Sequence, residues 1–135
     1  MANKARFLRL GSLVSYVQAE SDGDEIFIRY KKKKIAPAKS KFYKVSSEPV
    51  QINIEVPLEK SEKWVELELW EYDRLTPNDS LGHFKLLVDQ ASDTFTAELI
   101  RKKDSGAKYV LNWEIIERLN APPKKNPLAP GKKKI

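Results

Sequence analysis

The sequence predicts an all-β fold, an eight-stranded antiparallel β-sandwich of Greek-key type followed by an extended basic tail. Three observations support this prediction. Hydrophobic and polar residues alternate along most apolar segments, as they do in half-buried strands. Turn residues separate these segments at even spacing, which is typical of sandwiches. A helical pattern is hinted at only between Val88 and Asp93.

Length and composition indicate one domain with its own core. The chain has 135 residues, of which 41% are hydrophobic and 33% are charged, as in ordinary globular domains. It contains no cysteine, which excludes disulfides and thiolate metal ligands. No apolar run approaches the roughly 20 residues of a membrane-spanning helix, and the first residues lack the apolar segment of a signal peptide. We therefore expect a cytoplasmic protein.

The first five expected strands are rich in aromatic and aliphatic residues. They are RFLRLGSLV near the N-terminus, Glu25–Lys31, Lys41–Val45, Gln51–Val56 and Val65–Trp70. The last two alternate most clearly, because Val65, Leu67 and Leu69 share one face and Glu66 and Glu68 the other. Such segments read as strands with one face on the core and one in water.

Three further strands complete the expected sandwich. They are His83–Val88, Thr94–Ile100 and Lys108–Ile116. Turn-forming residues separate the eight segments, among them Ser21-Asp22-Gly23, Ala36-Pro37, Pro77-Asn78-Asp79 and Asp104-Ser105-Gly106, and each of these residue types favours turns for its own conformational reason.

The formal net charge of +6 is concentrated in the C-terminal segment. Residues 118–135 contain six basic residues and no acid, which leaves 19 basic and 19 acidic residues in positions 1–117. The segment also has four prolines and too few apolar residues to offset the entropy lost on ordering. We therefore divide the chain into a sandwich, 1–117, and a tail, 118–135. The candidate contact residues of the tail are Lys124, Lys125, Lys132, Lys133 and Lys134.

Acidic residues gather where the fifth expected strand ends. Glu71 and Asp73 are two positions apart, so their side chains should leave one face, and Asp79 follows six residues later. Three carboxylates could therefore converge at one sheet edge. Hard cations such as calcium bind six to eight oxygens, several of them from carboxylates.

The same segment carries a family resemblance. LELWEYDRLTPNDSLGHF resembles the third calcium-binding loop of the C2 domain, the module of protein kinase C, synaptotagmins and many lipid-binding proteins; the matching residues are Glu71-Tyr72-Asp73-Arg74, Asn78-Asp79 and Leu81-Gly82. GDEIFIRYKKKK and KVSSEPVQINIEV are similar to upstream parts of that domain. The resemblance covers most of residues 7–116, and the loop motif is its specific part.

The resemblance implies a sandwich that holds calcium between loops at one end, where the ions bridge to anionic phospholipid. It assigns Asp24, Glu71, Asp73 and Asp79 as calcium ligands, with Asp22 as a further candidate in the first loop. Two departures stand out: Glu71 replaces an aspartate, and Gln18 stands where the first ligand is expected. The alternative is that Asp73 and Asp79 only cap the loop as Asx turns, with Arg74 paired to a neighbouring acid.

A basic segment precedes the acidic one. Arg29 to Lys44 contains eight basic residues and no acid. Some C2 domains bind phosphoinositide headgroups with lysines at this place, so the candidates for an anionic lipid or partner are Lys31, Lys32, Lys33, Lys34, Lys39, Lys41 and Lys44. The alternative is a solvated face whose lysines pair across the sheet with Glu66 and Glu68.

Two functions stay open. The leading hypothesis is a non-enzymatic structural or adaptor subunit of a larger protein assembly, and the alternative is a peripheral membrane module for anionic phospholipid that uses calcium or works without it. Leu75 and Leu81 are the candidates for membrane insertion. Nucleic acid is not favoured, because few aromatics interleave with the lysines. A small-molecule substrate and catalysis are not favoured either, since His83 is the single histidine and no nucleophile or phosphate-loop motif occurs.

Overall fold

The computed structural model describes residues 4–17, 23–102 and 105–119. Ten strands lie in these ranges, and their bounds are β1 Lys4–Val17, β2 Glu25–Tyr30, β3 Lys33–Ala36, β4 Tyr43–Lys44, β5 Val50–Leu58, β6 Trp64–Glu71, β7 Asp79–Leu87, β8 Thr94–Glu98, β9 Ile100–Arg101 and β10 Lys108–Leu119. Asp22 and the tail lysines, from Lys124 to Lys134, lie outside the described residues. No helix among the described residues is long and apolar enough to span a membrane.

The strands form two antiparallel sheets packed as a sandwich, as the sequence predicts. One sheet has the order β5-β1-β10-β8, and the other has the order β3-β2-β6-β7-β9 with β4 beside β2. Alternate residues of each long strand point between the sheets. The core contains Leu8, Leu10, Leu13, Ile26, Ile28, Leu67, Leu69, Phe84, Leu86, Leu111 and Ile115 among its buried side chains. The fold class predicted from alternation is therefore confirmed.

The hairpin between β2 and β3 is the largest difference from the expected strands. Tyr30 pairs with Lys33, so Lys31 and Lys32 form a two-residue turn, and both have positive φ, 52° and 67°. Such turns favour Asn-Gly, because other residues are strained at positive φ. Because lysine is not a typical residue at these turn positions, the sequence predicts neither the turn nor the strand β3 that follows it.

Other boundaries also move. Only Tyr43–Lys44 of the predicted strand Lys41–Val45 forms a strand, β4. The strand β7 begins at Asp79, inside the expected loop. Residues 88–93 form bends and no helix. The last strand reaches Leu119, two residues beyond the predicted end of the sandwich.

The predicted strand Thr94–Ile100 divides at Leu99, where the chain passes from one sheet to the other. β8 pairs with β10 in the four-stranded sheet, and β9 pairs with β7 in the other. The Leu99 N–H still donates to the Tyr109 carbonyl at 2.9 Å, and the Lys102 N–H donates to the Leu81 carbonyl at 3.1 Å. One continuous segment thus joins both layers at this side of the sandwich.

Gly82→Ala should destabilise the fold by at least about 2 kcal/mol, measured by urea unfolding. Gly82 has a φ of 141°, and a Cβ there would lie 2.2 Å from the Ile100 carbonyl oxygen, so β9 would have to move off β7. Gly106→Ala is the matched control, because nothing lies within 4 Å of its Cβ position. Equal stability of the two variants would contradict this account of the β7–β9 contact.

Candidate functional site

The acidic residues singled out from the sequence meet at one end of the sandwich, which we call the loop end. Glu71 lies opposite Ile26 of β2 and opposite Asp79 of β7. The Tyr72 N–H donates to the Glu25 carbonyl at 2.7 Å, which ties the exit of β6 to the start of β2. The backbone positions of Asp24, Glu71, Asp73 and Asp79 are therefore gathered as expected.

The side chain of Asp24 points into the molecule. It is fully buried, and its Oδ2 accepts a hydrogen bond of 2.5 Å from the Tyr109 hydroxyl. Burial, the hydrogen bond and the charge of Asp24 raise the pKa of Tyr109 well above its usual range, because all three disfavour the phenolate. Tyr109 therefore remains a hydrogen-bond donor to Asp24 throughout the ordinary pH range.

Glu71 also faces inward. Val65, Leu67, Leu69 and Glu71 occupy alternate positions of β6 and are all buried. The charge of Glu71 adds to the rise in the pKa of Tyr109, so the carboxyl group lies within electrostatic reach of the phenol. Asp24, just before β2, thus bonds the buried hydroxyl, while Glu71, at the end of β6, acts on it through its charge.

Asp73, in contrast, shapes its own loop. Its Oδ1 accepts hydrogen bonds from the Leu75 N–H at 2.9 Å and the Thr76 N–H at 3.2 Å. The Asp73 N–H in turn donates to Asn78 Oδ1 at 2.7 Å. The Thr76 hydroxyl, with these N–H groups, lowers the pKa of Asp73. This is the Asx-turn arrangement that the sequence offered as the alternative to metal binding.

The four acidic side chains do not fit the coordination of one calcium ion. Asp24 and Glu71 point inward, Asp73 is bonded to its own loop, and Asp79 is exposed on β7. Calcium needs six to eight oxygens around one point. In residues 4–17, 23–102 and 105–119, no three acidic or histidine side chains are placed to hold a metal. Calcium binding, including any role for Asp22, stays a prediction.

The seven candidate lysines lie along one side of the six-stranded sheet, and all are exposed. Lys31 and Lys32 form the β2–β3 turn, Lys33 and Lys34 lie in β3, Lys39 and Lys41 lie in the connection to β4, and Lys44 lies in β4.

The alternative in which these lysines pair with Glu66 and Glu68 across the sheet is wrong. Glu68 instead lies opposite Arg29, whose Nε is 3.5 Å from its carboxylate. Glu66 approaches His83 at 3.2 Å. Arg29 and His83 take these positions because β2 and β7, and not the lysine segment, are the neighbours of β6.

An aromatic pocket with basic walls opens near the loop end, and we call it the basic pocket. It is a shallow cavity of about 310 Å³ lined by Phe27, Lys34, Lys41, Tyr72 and Asn78. Lys41 Nζ lies 5.7 Å from the centre of the Tyr72 ring, within cation–π range. The ring of Phe42 stacks on the ring of Tyr72, with the two centroids 5.3 Å apart.

Sequence reasoning missed the aromatic half of this pocket. The lysine run marks the basic side of the pocket, whereas Phe27 is part of a predicted strand and Tyr72 is part of the predicted acidic loop. The available signal was parity: Phe27 lies between the core residues Ile26 and Ile28, so it must face outward. Other side chains cover Phe27, which is 7% exposed, so it contributes an apolar wall to the pocket.

Of the two leucines expected to insert into membranes, only one is available. Leu75 is 94% exposed on the loop that Asp73 caps, whereas Leu81 is buried. Tyr72 lines both the basic pocket and a second cavity that includes Leu75. Leu75 and the basic pocket therefore flank the same tyrosine.

Solved structures share this architecture. Among 27 matching chains is the C2A domain of plant extended synaptotagmin 1, which is 14% identical, with a TM-score of 0.60 over 90% of this chain and 99% of that one. The chain has the C2-domain fold. Another C2 domain structure is 12% identical, covers 84% of this chain and 96% of that one, and has a TM-score of 0.47. No protein-family model and no curated protein matches the chain.

The loop capped by Asp73 should hold its shape at pH 3.8, the ordinary pKa of an aspartate, and loosen only at lower pH. A lowered pKa means that the charged form is favoured in the folded state, so the stabilising effect is lost as the pH falls through that lower value. Amide chemical shifts of Leu75 and Thr76, followed by NMR during acid titration, check this. In Asp73→Ala the titration should vanish, and a midpoint at or above 3.8 in the wild type would contradict the capping role.

Proposed function

We propose that this chain is a non-enzymatic interaction module that attaches to anionic phospholipid surfaces through the basic pocket and Leu75. The observation that carries the proposal is the placement of two lysines and an amide around aromatic rings, next to an exposed leucine on a capped loop. This combination provides charge for headgroups and an apolar side chain for the acyl boundary.

The charge component rests on Lys34 and Lys41. Both are exposed and line the pocket. Lys34 Nζ also donates to the Ser40 carbonyl at 2.6 Å. Lysine ammonium groups act as point charges toward phosphate, and each contributes about 1 kcal/mol near an anionic membrane. Asn78 adds a neutral hydrogen-bonding group to the same wall.

The remaining lysines extend this charge along the sheet edge. Together with Arg29, Lys34 and Lys41 they make eight basic residues between positions 29 and 44, a segment without an acid. A one-signed field of this kind raises the rate of encounter with an oppositely charged surface. These charges therefore favour an orientation in which the protein approaches an anionic membrane with the basic pocket toward it.

Leu75 supplies the apolar component. Its side chain contributes little to the core because it is 94% exposed, yet the Asp73 hydrogen bonds fix the backbone on either side of it. Burying a leucine stabilises a complex by about 1.5–3 kcal/mol. A fixed loop also loses less entropy on insertion than a mobile one would.

Replacing Lys34 and Lys41 together by alanine should weaken binding to phosphatidylserine vesicles about 30-fold, since two contributions of about 1 kcal/mol are lost. Vesicle co-sedimentation in EDTA measures this. Lys60→Ala/Lys63→Ala is the control of equal charge, because both lysines lie in the β5–β6 connection, away from the loop end. Equal losses in the two double variants would point to unspecific charge attraction and count against the basic pocket.

Leu75→Ala should weaken vesicle binding about tenfold and leave the melting temperature unchanged, because its side chain has no core contacts to lose. Binding of a soluble phosphorylated headgroup, followed by calorimetry, should be unaffected by this change. A loss of headgroup binding as well would show that Leu75 shapes the pocket and does not insert into lipid.

A structural or adaptor role in a larger assembly is the second candidate, favoured by a different surface. Trp64 and Ile100 are both about half exposed on the outer face of the six-stranded sheet, and exposed apolar side chains on one face are typical of protein contacts. Native mass spectrometry of the purified particle tests it. A stoichiometric complex that Trp64→Ala dissolves, without an effect on vesicle binding, would favour the adaptor. The cytoplasmic location stays a prediction.

A further inference from the structure

The buried cluster formed by Asp24, Glu71 and Tyr109 joins the two sheets at the loop end. Asp24 immediately precedes β2 and Glu71 ends β6, both in the six-stranded sheet, while Tyr109 lies in β10 of the four-stranded sheet. The hydrogen bond from Tyr109 to Asp24 therefore crosses the interior of the sandwich. It is a tertiary contact between residues 85 positions apart in the chain.

We propose that the Tyr109 hydroxyl replaces a cation at this end of the sandwich, so that the loops are held together without metal. Acidic groups taken out of water are costly unless a partner compensates them. A cation is one such partner, and a directed hydroxyl is another. Here the hydroxyl comes from the core itself and bonds the acid that lies deepest, Asp24.

The geometry at Asp24 favours the hydroxyl over an ion. The side chain has no exposed surface, so a hydrated cation has no open side from which to approach it. Calcium would need several additional oxygens at the same point, and the phenol ring fills part of that space. Ser15 of β1 lies opposite Tyr109, and its Oγ atom is also buried.

The loop capped by Asp73 is also held together by groups of the chain itself, in this case backbone N–H groups. Asp73, which the family resemblance assigns to the metal, uses its Oδ1 to hold the Leu75 and Thr76 N–H groups. Both layers of acids thus have partners drawn from the chain, a core hydroxyl inside and backbone N–H groups outside. The loop conformation that exposes Leu75 therefore forms when the chain folds and does not require an ion.

The test compares melting temperatures in EDTA and in millimolar calcium chloride, without lipid. We expect the wild type to melt at the same temperature in both, and terbium to give no saturable luminescence with it. Tyr109→Phe keeps the ring but removes the donor, and it should lower the melting temperature by roughly 5–10 °C. Tyr30→Phe is the matched control, since the Tyr30 hydroxyl bonds Glu62 nearer the surface at 2.8 Å; it should lose less than half as much.

Three outcomes would overturn the proposal: a rise in the wild-type melting temperature with calcium, saturable terbium luminescence with the wild type, or equal losses in the two phenylalanine variants. If Tyr109→Phe does not fold, the calcium and terbium measurements on the wild type decide alone. Because no membrane enters these measurements, failure of the phospholipid proposal leaves their result standing, and the reverse also holds.

Discussion

The regular alternation of β6 is the constraint on which the loop end depends. This strand lies at the centre of the six-stranded sheet, and its positions 65, 67 and 69 fill the core. A strand without a bulge must send position 71 the same way, because successive side chains take opposite faces. Glu71 is therefore committed to the interior by the hydrophobic residues that precede it. The same end of the sandwich also buries Asp24, which accepts the hydrogen bond from Tyr109 of the other sheet.

A loop end stabilised from within leaves the outer surface free for recognition. The charges of the basic pocket are fixed on β3 and on the connection to β4, and their strength does not vary with the supply of an ion. The rings of Phe27 and Tyr72 line the pocket together with Lys34 and Lys41. On the same outer face, Arg29 lies 4.6 Å from the centre of the Trp70 ring and pairs with Glu68. Glu68 is therefore paired with a basic residue of the neighbouring strand.

The sequence predicted the layers of this fold well and its side-chain chemistry only in part. Alternation identified the long strands because burial of one face leaves a direct record in residue order. Spacing predicts that Glu71, Asp73 and Asp79 gather at one sheet edge, and the family resemblance adds Asp24 to them. The resemblance also implies that they share an ion, although position 71 has the parity of Leu67 and Leu69 and so had to turn inward. Tyr109 was beyond reach, because its partner is far away in the chain and nothing local marks an inward tyrosine as a donor.

The passage of the chain from one sheet to the other at Leu99 has a mechanical consequence. Since β8 and β9 are one uninterrupted segment anchored in different layers, neither layer can peel away while the other keeps its strands. The hydrogen bond from Tyr109 to Asp24 connects the two sheets in the interior, and the β8–β9 segment connects them at one side. Together they make the whole sandwich a single cooperative unit, whose unfolding should proceed as one all-or-none event.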